Sequence, residues 1–256
     1  MMRLTLEQLC IGYPQHTVAG PLNTSLPEGN LTCLLGPNGA GKSTLLRTLA
    51  GFQVPLSGQV CIDDRDISSL SPTVLSTMIG VVLTDRIESS GFTAREVVEM
   101  GRSPYTNFFG KLQSTDHEAV TKALHLTGIE TLSERKVNAL SDGERQKVMI
   151  AKALAQGTDI ILLDEPTAFL DFPSKVETML MLSGLCHDLG KSILLSTHDL
   201  DLALQTADYL WLLSSQEGFT AGSREELMHG NCLEQFFPSK HISFDSHGIH
   251  INNQPK

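Results

Sequence analysis

Four short apolar runs stand out in the hydrophobic pattern of the chain, and they predict buried strands. Their apolar residues are continuous rather than alternating, which is typical of parallel strands covered on both faces. A stretch with helical spacing follows the first run and ends at Gly51. Another follows the second run and ends at Gly190. Alternating strands and helices predict an α/β fold with a parallel-sheet core. The four runs are residues 30–35 (NLTCLL), 159–164 (DIILLD), 192–199 (SILLSTHD) and 208–213 (DYLWLL).

The pattern changes between about residues 89 and 157, where apolar residues recur at three- and four-residue spacing. This spacing predicts a helical subdomain inserted into the core. After residue 215 the chain is mixed and polar, and it offers one helix near Arg224–Met228. We therefore predict a single domain over residues 1–256, with a core at about 1–88 and 158–215, a helical subdomain at about 89–157 and a C-terminal tail at 216–256.

Composition and charge narrow the class of protein. A chain of 256 residues with 41% hydrophobic content is long enough to bury one sizeable core. Its net charge of −10 disfavours nucleic acid as a partner, because the phosphate backbone repels an acidic surface. No apolar run approaches the roughly 20 residues of a membrane-spanning helix, and the N-terminal residues lack the apolar core of a secretory signal. We expect a cytoplasmic protein, with any membrane role supplied by a partner.

The cysteines and histidines form no recognisable disulfide or metal pattern in the sequence. Five cysteines are scattered without a C-x-x-C pair, so we expect reduced side chains that pack in the interior. His241, His247 and His250 lie near one another in the tail but lack a thiol or carboxylate at matching spacing. A solvated tail is therefore favoured over a metal site.

The strongest chemical motif is GPNGAGKS at residues 36–43, which satisfies the phosphate-binding pattern G-x-x-x-x-G-K-[ST] between a predicted strand and a predicted helix. Its glycines let backbone N–H groups converge on phosphate oxygens, and the start of the helix adds partial positive charge. Lys42 is expected to reach the β- and γ-phosphates, and the Ser43 hydroxyl to bind Mg²⁺. The predicted nucleotide-binding residues are Gly36, Pro37, Asn38, Gly39, Ala40, Gly41, Lys42, Ser43 and Thr44.

Two adjacent carboxylates follow the second predicted strand, in the sequence ILLDEP. Ligands of α/β sheets bind at this carboxyl end of the strands. Asp164 is expected to hold the Mg²⁺ shell, as the acidic residue of the second motif does in P-loop enzymes. Glu165 is expected to face the attacking water as a general base.

Residues 140–146, LSDGERQ, carry the most specific pattern. By themselves they predict a helix start, with Ser141 as the cap and Glu144 three residues later. The segment also resembles the LSGGQ signature of the ABC ATPases, with Asp142 in place of the first glycine. In that family the signature of one subunit completes the site of another, so the resemblance implies a head-to-tail dimer that encloses two ATP molecules. Ser141 and Gly143 would then present donors to phosphate.

Other motifs of the ABC family follow in the expected order, and the resemblance covers roughly residues 3–215. The resemblance implies the P-loop NTPase fold of the ABC ATPases, with a parallel-sheet core, an N-terminal antiparallel strand region and an inserted helical subdomain. It implies that Tyr13 stacks on adenine, that Asp171 in AFLD contacts the opposite subunit, and that His198 in STHD contacts the γ-phosphate. It also implies that His198 assists Lys42 and Glu165 in catalysis. One position departs from the family.

Thr84 aligns with a glutamine that in the family contacts Mg²⁺ or the attacking water and senses the membrane partner. Because threonine is shorter, we hypothesise that Thr84 or the neighbouring Asp85 acts on the metal site through a bridging water. The substitution therefore allows ATP hydrolysis that is slower than in the family or coupled to the partner in a different way. Unchanged Mg²⁺ dependence and turnover in Asp85→Ala would exclude a role for Asp85.

Residues 93–105, TAREVVEMGRSPY, resemble the ATPases that drive uptake of iron–siderophore complexes, haem and cobalamin. The resemblance implies integral-membrane permease subunits as partners, a substrate-binding protein acting indirectly, and a location at the cytoplasmic face of the inner membrane. Phe108 and Phe109 either form an exposed platform for the permease or fill the core of the helical subdomain. The sequence does not identify the transported cargo, because this subunit need never contact it.

The resemblance implies a mechanism in which two copies bind Mg²⁺–ATP between them, close, and move a separate permease, and hydrolysis then reopens the dimer. Three alternatives remain open at this point. One is the motor of an exporter or of a different importer class. Another is a non-transport ABC ATPase of translation or DNA repair, although this chain has neither two ATP-binding halves nor a long coiled coil. The third is a nucleotide-dependent binding module that scarcely hydrolyses ATP.

Overall fold

The computed structural model describes residues 3–83, 91–106, 110–229, 232–239, 241–245 and 248–251. Its strands are β1 (Leu4–Tyr13), β2 (His16–Leu26), β3 (Leu31–Leu35), β4 (Ser57–Ile62), β5 (Arg65–Asp66), β6 (Ile79–Val82), β7 (Ile160–Asp164), β8 (Ser192–Ser196), β9 (Tyr209–Ser214), β10 (Gly218–Ser223), β11 (Ile242–Asp245) and β12 (Gly248–Ile251). Its α-helices are α1 (Lys42–Leu49), α2 (Pro72–Leu75), α3 (Ala94–Glu99), α4 (Ser114–Leu126), α5 (Asp142–Ala155), α6 (Phe172–Leu189), α7 (Leu200–Thr206), α8 (Arg224–Met228) and α9 (Cys232–Phe236).

The central sheet has the strand order β10-β9-β3-β8-β7-β6. The pairs β3–β8, β3–β9, β7–β8 and β6–β7 are parallel, and β10 joins the edge as an antiparallel strand. The four apolar runs are β3, β7, β8 and β9, so the predicted parallel core is confirmed. All residues of β3, β7 and β8 are buried, because helices and the second sheet cover both faces. Parallel pairing brings the carboxyl ends of β3, β7 and β8 to one edge.

A second, antiparallel sheet has the order β2-β1-β4-β5 and corresponds to the predicted N-terminal strand region. Its apolar face, including Leu4 and Leu9, forms one hydrophobic cluster with Leu45 and Leu49 of α1. The helix that carries the phosphate-binding motif is thereby packed between the two sheets. Burial of large aliphatic side chains on both sides holds the start of α1 at the carboxyl edge of the central sheet.

Helices α3, α4 and α5 lie between β6 and β7, joined by short 3-10 turns. One turn, Met100–Tyr105, contains the GRSP sequence, and its Gly101 and Arg102 have packing roles. An added Cβ on Gly101 would lie 2.2 Å from the Lys152 carbonyl oxygen, so only glycine fits against α5. Arg102 Nε lies 2.9 Å from Asp116 Oδ1, and its guanidinium lies 4.0 Å from the Tyr105 ring centroid. Phe108 and Phe109 are outside the described residues.

Removal of the Asp116 carboxylate is expected to destabilise the fold in a pH-dependent way. Hydrogen bonds from the Gln113 amide and from Arg102 lower the pKa of Asp116 below its usual value. The carboxylate therefore stabilises the folded state above the unfolded pKa of about 3.9, and this contribution is lost as pH falls through the folded pKa. We expect Asp116→Asn to lower the free energy of unfolding by about 3 kcal/mol at neutral pH, since it leaves Arg102 buried and unpaired.

Urea unfolding at pH 7 and near pH 3 measures this effect. The exposed Asp188 provides the control, and Asp188→Asn should change stability little at either pH. The difference between wild type and Asp116→Asn should narrow at the acidic pH. A difference that stays constant across this range would show that the ionised form of Asp116 contributes nothing.

The C-terminal tail is more ordered than a mixed, polar sequence predicts. The predicted helix is present as α8, and the tail also contains β10, α9 and the hairpin of β11 and β12. Leu233 and Phe236 are buried in the main hydrophobic core, and β12 packs against α7. Leu233 and Phe236 are therefore packed against the core, which the polar character of the tail did not predict, whereas the expectation of a solvated tail concerned the histidines. His241 and His250 are exposed, and His247 is outside the described residues.

None of the helices in the described part of the chain combines the length and apolar character that crossing a bilayer requires.

Candidate functional site

The loop between β3 and α1 wraps around the carboxyl edge of the central sheet. An added Cβ on Gly36 would lie 2.0 Å from the Leu213 carbonyl oxygen of β9, so this close approach of two backbones requires glycine. Gly41 adopts the left-handed conformation with φ of 103° and caps α1 without any side-chain hydrogen bond. The first N–H groups of a helix lack partners within the helix. With no side chain capping it, the start of α1 presents donors for an anion.

Lys42 folds back onto this loop. Its ammonium donates to the carbonyl oxygens of Gly36 at 2.8 Å and Pro37 at 3.3 Å, and the side chain is buried. Burial lowers the pKa of Lys42, while the nearby carboxylates of Glu165 and Asp164 oppose that shift. A buried cation gains most from an anionic ligand, because little water screens the attraction. Phosphate oxygens bound at this loop are therefore suitable partners for Lys42.

Ser43 and Asp164 meet although they are 121 positions apart in the chain. The Ser43 hydroxyl donates to Asp164 Oδ1 at 3.1 Å, and the Ser196 hydroxyl donates to the same oxygen at 2.7 Å. Hydroxyl and carboxylate oxygens are the ligands that Mg²⁺ prefers, together with phosphate oxygens and water. The chemistry of this pair fits Mg²⁺. Thr84, the third predicted metal residue, is outside the described residues.

Glu165 has a backbone conformation that is rare for a residue with a side chain. Its φ is 48°, and its amide N–H donates to the Ser196 hydroxyl at 2.9 Å. Residues held in such conformations cluster at active sites, where the surrounding structure imposes them. This turn directs the Glu165 carboxylate to His198, whose Nδ1 lies 3.4 Å from Glu165 Oε2. The structure thus joins the predicted base to the predicted γ-phosphate contact.

Tyr13 lies at the turn between β1 and β2, and half of its surface is exposed. Its hairpin lies next to the phosphate loop, because an added Cβ on Gly41 would lie 2.3 Å from Val18 Cγ1 of β2. An exposed aromatic ring near a phosphate site is suited to stacking on a base. The distance along the hairpin from Val18 to Tyr13 is compatible with a nucleotide whose phosphates bind the loop.

The remaining predicted residues lie apart from this group. Ser141 caps α5, accepting from the Glu144 amide at 3.2 Å, as the helix-cap interpretation predicted. Gly143 faces Ser174 near the start of α6, with Ser174 Oγ 3.6 Å from an added Cβ. Asp171 caps α6, and its hydrogen bonds with Ser174 lower the pKa of Asp171. Within the described part of the chain, no hydrogen bond links residues 140–146 to residues 36–43.

Two interactions at the site were missed by sequence reasoning. Ser196 binds both carboxylate residues, donating to Asp164 and accepting from the Glu165 amide. Lys175 in α6 contacts Asp199, with Nζ 2.6 Å from Oδ2, and so links the segment after Asp171 to the turn that holds His198. The STHD motif contained the signal for Ser196, since a hydroxyl at the end of a buried strand faces the same edge as its neighbours. Nothing in the sequence marked Lys175.

This arrangement has the parts that phosphoryl transfer to water requires. Donors from the start of α1 and from Lys42 are suited to stabilise phosphate charge, and the oxygens of Ser43 and Asp164 are suited to bind a metal ion. Glu165 lies at the rim of the same site, where a carboxylate can take a proton from an attacking water. The site therefore fits hydrolysis of a nucleoside triphosphate.

Comparison with known proteins gives consistent matches. A family model described as "ABC transporter" matches residues 19–168. The chain is 37% identical over 237 residues to the iron(3+)-hydroxamate import ATP-binding protein FhuC of Bacillus subtilis, covering 93% of this chain and 88% of that protein. It is 37% identical over 239 residues to the cobalamin import ATP-binding protein BtuD of Halobacterium salinarum, covering 93% and 60%. Among solved structures, cbiO1 from Clostridium perfringens, part of the ABC transporter complex cbiONQ, matches with a TM-score of 0.78 and 29% identity over 91% of this chain and 92% of that one.

Proposed function

Because this chain belongs to the ABC transporter family and is an ATP-binding, ATP-hydrolysing subunit, we propose that it energises import of an iron complex, a siderophore or haem, or of cobalamin through a separate permease. The observation that carries the ATPase role is the contact of Ser43 with Asp164 beside the phosphate loop, with Glu165 bound to Asp164 through the Ser196 hydroxyl. The cargo class follows from the relatives, which are named as importers of iron(3+)-hydroxamate and of cobalamin.

The proposed roles of the site residues follow from their positions. The loop at residues 36–44 and Lys42 bind the phosphates of ATP, and Tyr13 stacks on the base. Ser43 and Asp164 hold Mg²⁺. Thr84 is outside the described residues, and its action on the same ion rests on the family resemblance alone. Bound Mg²⁺ supplies positive charge that neutralises the triphosphate. Glu165 takes the proton of the attacking water.

The second half of the site is proposed to come from another copy of the chain. Ser141 and Gly143 lie beside α6 rather than at the phosphate loop of their own chain. A head-to-tail pair brings each signature segment to the partner's ATP, and the donors of Ser141 and Gly143 then complete the phosphate site. Asp171 binds the amide of Ser174, the residue that Gly143 faces, and the next residue, Lys175, pairs with Asp199. Asp171 is therefore suited to sense the opposite subunit.

The permease is proposed to dock in a cleft of about 1050 Å³, the docking cleft. One wall contains residues 50–55 after α1 together with α2, and the other contains the turn Met100–Tyr105 and the end of α5. Phe52, Val54 and Met100 line it and are 62%, 82% and 41% exposed. Large exposed apolar side chains grouped in one concave surface indicate a protein partner. Docking there places the chain at the cytoplasmic face of the inner membrane.

Purified protein tests the enzymatic part of this proposal. Phosphate release should require both ATP and Mg²⁺, and chelation of the metal should abolish it. For the transport part, tagged protein is recovered from detergent-solubilised native membranes, and co-purifying proteins are identified by mass spectrometry. A stoichiometric multi-helix permease, accompanied by a binding protein for an iron complex or cobalamin, is the expected result. Recovery of soluble partners alone, with hydrolysis intact, would favour a non-transport ABC ATPase.

A pair of exposed aliphatic residues, one in the docking cleft and one outside it, tests the docking cleft. We expect Val54→Asp to lower recovery of the permease by at least about tenfold, because it places a charge among apolar contacts at the interface. Leu180→Asp is the control: Leu180 is 59% exposed and lies on α6, which contributes no residue to the lining of the cleft. If Val54→Asp recovers as much permease as the control variant and the wild type do, the permease docks elsewhere.

A further inference from the structure

Lys152 is the feature of the docking cleft that its apolar character does not explain. The described residues that line the cleft include two with charged side chains, Asp66 and Lys152. Asp66 is already engaged, since its oxygens accept from the Ser68 amide at 2.9 Å and the Ser68 hydroxyl at 2.6 Å. Lys152 differs, because no ion pair joins it to a carboxylate of the described residues.

The surroundings of Lys152 are fixed by close backbone packing. It lies in the last turn of α5, where its carbonyl oxygen faces Gly101 across a gap too narrow for a side chain. One turn later Gln156, also lining the cleft, donates to the Ile79 carbonyl oxygen of β6 at 3.0 Å. The end of α5 is thus held by the turn above it and by the sheet below it. The backbone of Lys152 therefore has a defined position on the wall of the cleft.

Partial burial makes this cation costly without a partner. Burial lowers the pKa of Lys152, and no neighbouring carboxylate offsets that shift. A half-buried ammonium in an apolar cleft attracts a carboxylate more strongly than a surface lysine does, because less water screens the pair. The rest of the surface disfavours an acidic partner, since the chain has a net charge of −10. A partner with one acidic group among apolar residues is therefore directed to this wall.

We propose that the docking cleft binds an apolar segment of the permease that presents one carboxylate to Lys152. This inference rests on the proposed transport role and adds to it the chemistry of the partner segment. Phe52, Val54 and Met100 provide the apolar contacts, and Lys152 fixes the register of the segment by a single charge pair. Lys152 is thus the residue that selects a matching permease.

A zero-length carbodiimide cross-link on the wild-type complex tests the contact directly. Carbodiimide condenses an amine with a carboxylate to an amide, and the carbodiimide takes up the water that is lost and becomes a urea. Because it adds no spacer, it joins only groups already in contact. In the detergent-solubilised complex we expect an amide between Lys152 Nζ and an aspartate or glutamate of the permease, located by peptide mass spectrometry. An amide from Lys152 to a carboxylate of its own chain, or none while other cross-links form, would overturn the proposal.

Charge reversal provides a second readout. Lys152→Glu should lower permease recovery on the order of tenfold, and Lys152→Met should lower it less, because methionine removes the charge without repulsion. Reversal of the cross-linked permease acid to lysine should restore recovery with Lys152→Glu. Lys122→Glu is the control, because Lys122 is exposed on α4 and does not line the cleft. Unfolding temperatures show that each variant is folded.

The outcomes separate the two proposals. If the wild-type chain hydrolyses ATP but recovers no permease, the transport role and this inference fall together. If the wild type recovers the permease and Lys152→Glu recovers it equally well, the transport role stands and the Lys152 inference is overturned.

Discussion

Replacement of Glu165 by glutamine is expected to lower ATP turnover by about a thousandfold while leaving ATP binding intact. Glutamine preserves the shape of the side chain but cannot accept the proton of the attacking water. Its backbone conformation, with φ of 48°, is open to either residue, and the hydrogen bond from its amide to Ser196 does not involve the side chain. The defect should therefore appear in kcat rather than in the affinity for ATP.

The same variant should form a stable dimer at saturating Mg²⁺–ATP, because ligand bound between two copies favours association and slow hydrolysis keeps the ligand in place. Size-exclusion chromatography with light scattering measures this state, and removal of ATP should return the protein to monomers. Glu177→Gln is the control for turnover, since Glu177 pairs with Lys147 on the exposed side of α6. A variant that is monomeric with ATP bound, or one with turnover near the wild-type value, would contradict the proposed base and the proposed dimer.

Replacement of Lys42 by methionine is expected to weaken ATP binding by about a hundredfold. Methionine retains the apolar stem but removes the ammonium, and with it charge-assisted hydrogen bonds to phosphate that contribute about 3 kcal/mol in total. In the absence of ATP the ammonium binds the carbonyl oxygens of Gly36 and Pro37, and burial opposes its charge. Removal of the cation should therefore affect nucleotide binding far more than the stability of the empty protein.

Isothermal titration with ATP in the presence of Mg²⁺ measures the affinity, and thermal unfolding without nucleotide measures stability. Lys147→Met serves as the control, because Lys147 is a partly exposed lysine on α5 with its own ion pair to Glu177. Wild-type affinity in Lys42→Met would remove Lys42 from the phosphate site. A large drop in the stability of the empty protein would instead assign Lys42 a mainly structural role.

The sequence alone determined the α/β class. A continuous apolar run indicates a strand buried on both faces, and apolar residues at helical spacing indicate a helix buried on one face. Strand β3 was expected over residues 30–35 and spans Leu31–Leu35. The helical stretch expected to end at Gly190 is helix α6, which spans Phe172–Leu189. The run at 192–199 was too long, since β8 ends at Ser196 and the chain then turns into α7. Local spacing reports burial, but it does not report where a strand leaves the sheet.

The same contrast holds for the candidate site. The phosphate loop could be predicted from the sequence because its chemistry is local: glycines, a lysine and a hydroxyl act within one turn. The contacts between Ser43, Asp164 and Ser196 depend on three strands pairing in parallel, and no local pattern determines that Ser196 binds both carboxylate residues. The burial of Leu233 and Phe236 in the tail was not predicted for a related reason, since most of the cluster that covers them comes from elements distant in the sequence.

By itself, then, the sequence determined the fold class, the family resemblance and the residues with phosphate chemistry, because periodicity and motif chemistry are properties of neighbouring residues. Only the tertiary structure decided that the signature segment lies away from its own phosphate loop, that Lys175 links α6 to the turn of His198, and that Lys152 lies in an apolar cleft. These features depend on burial and on distances between elements far apart in the chain, and such distances arise only when the sheets and helices pack together.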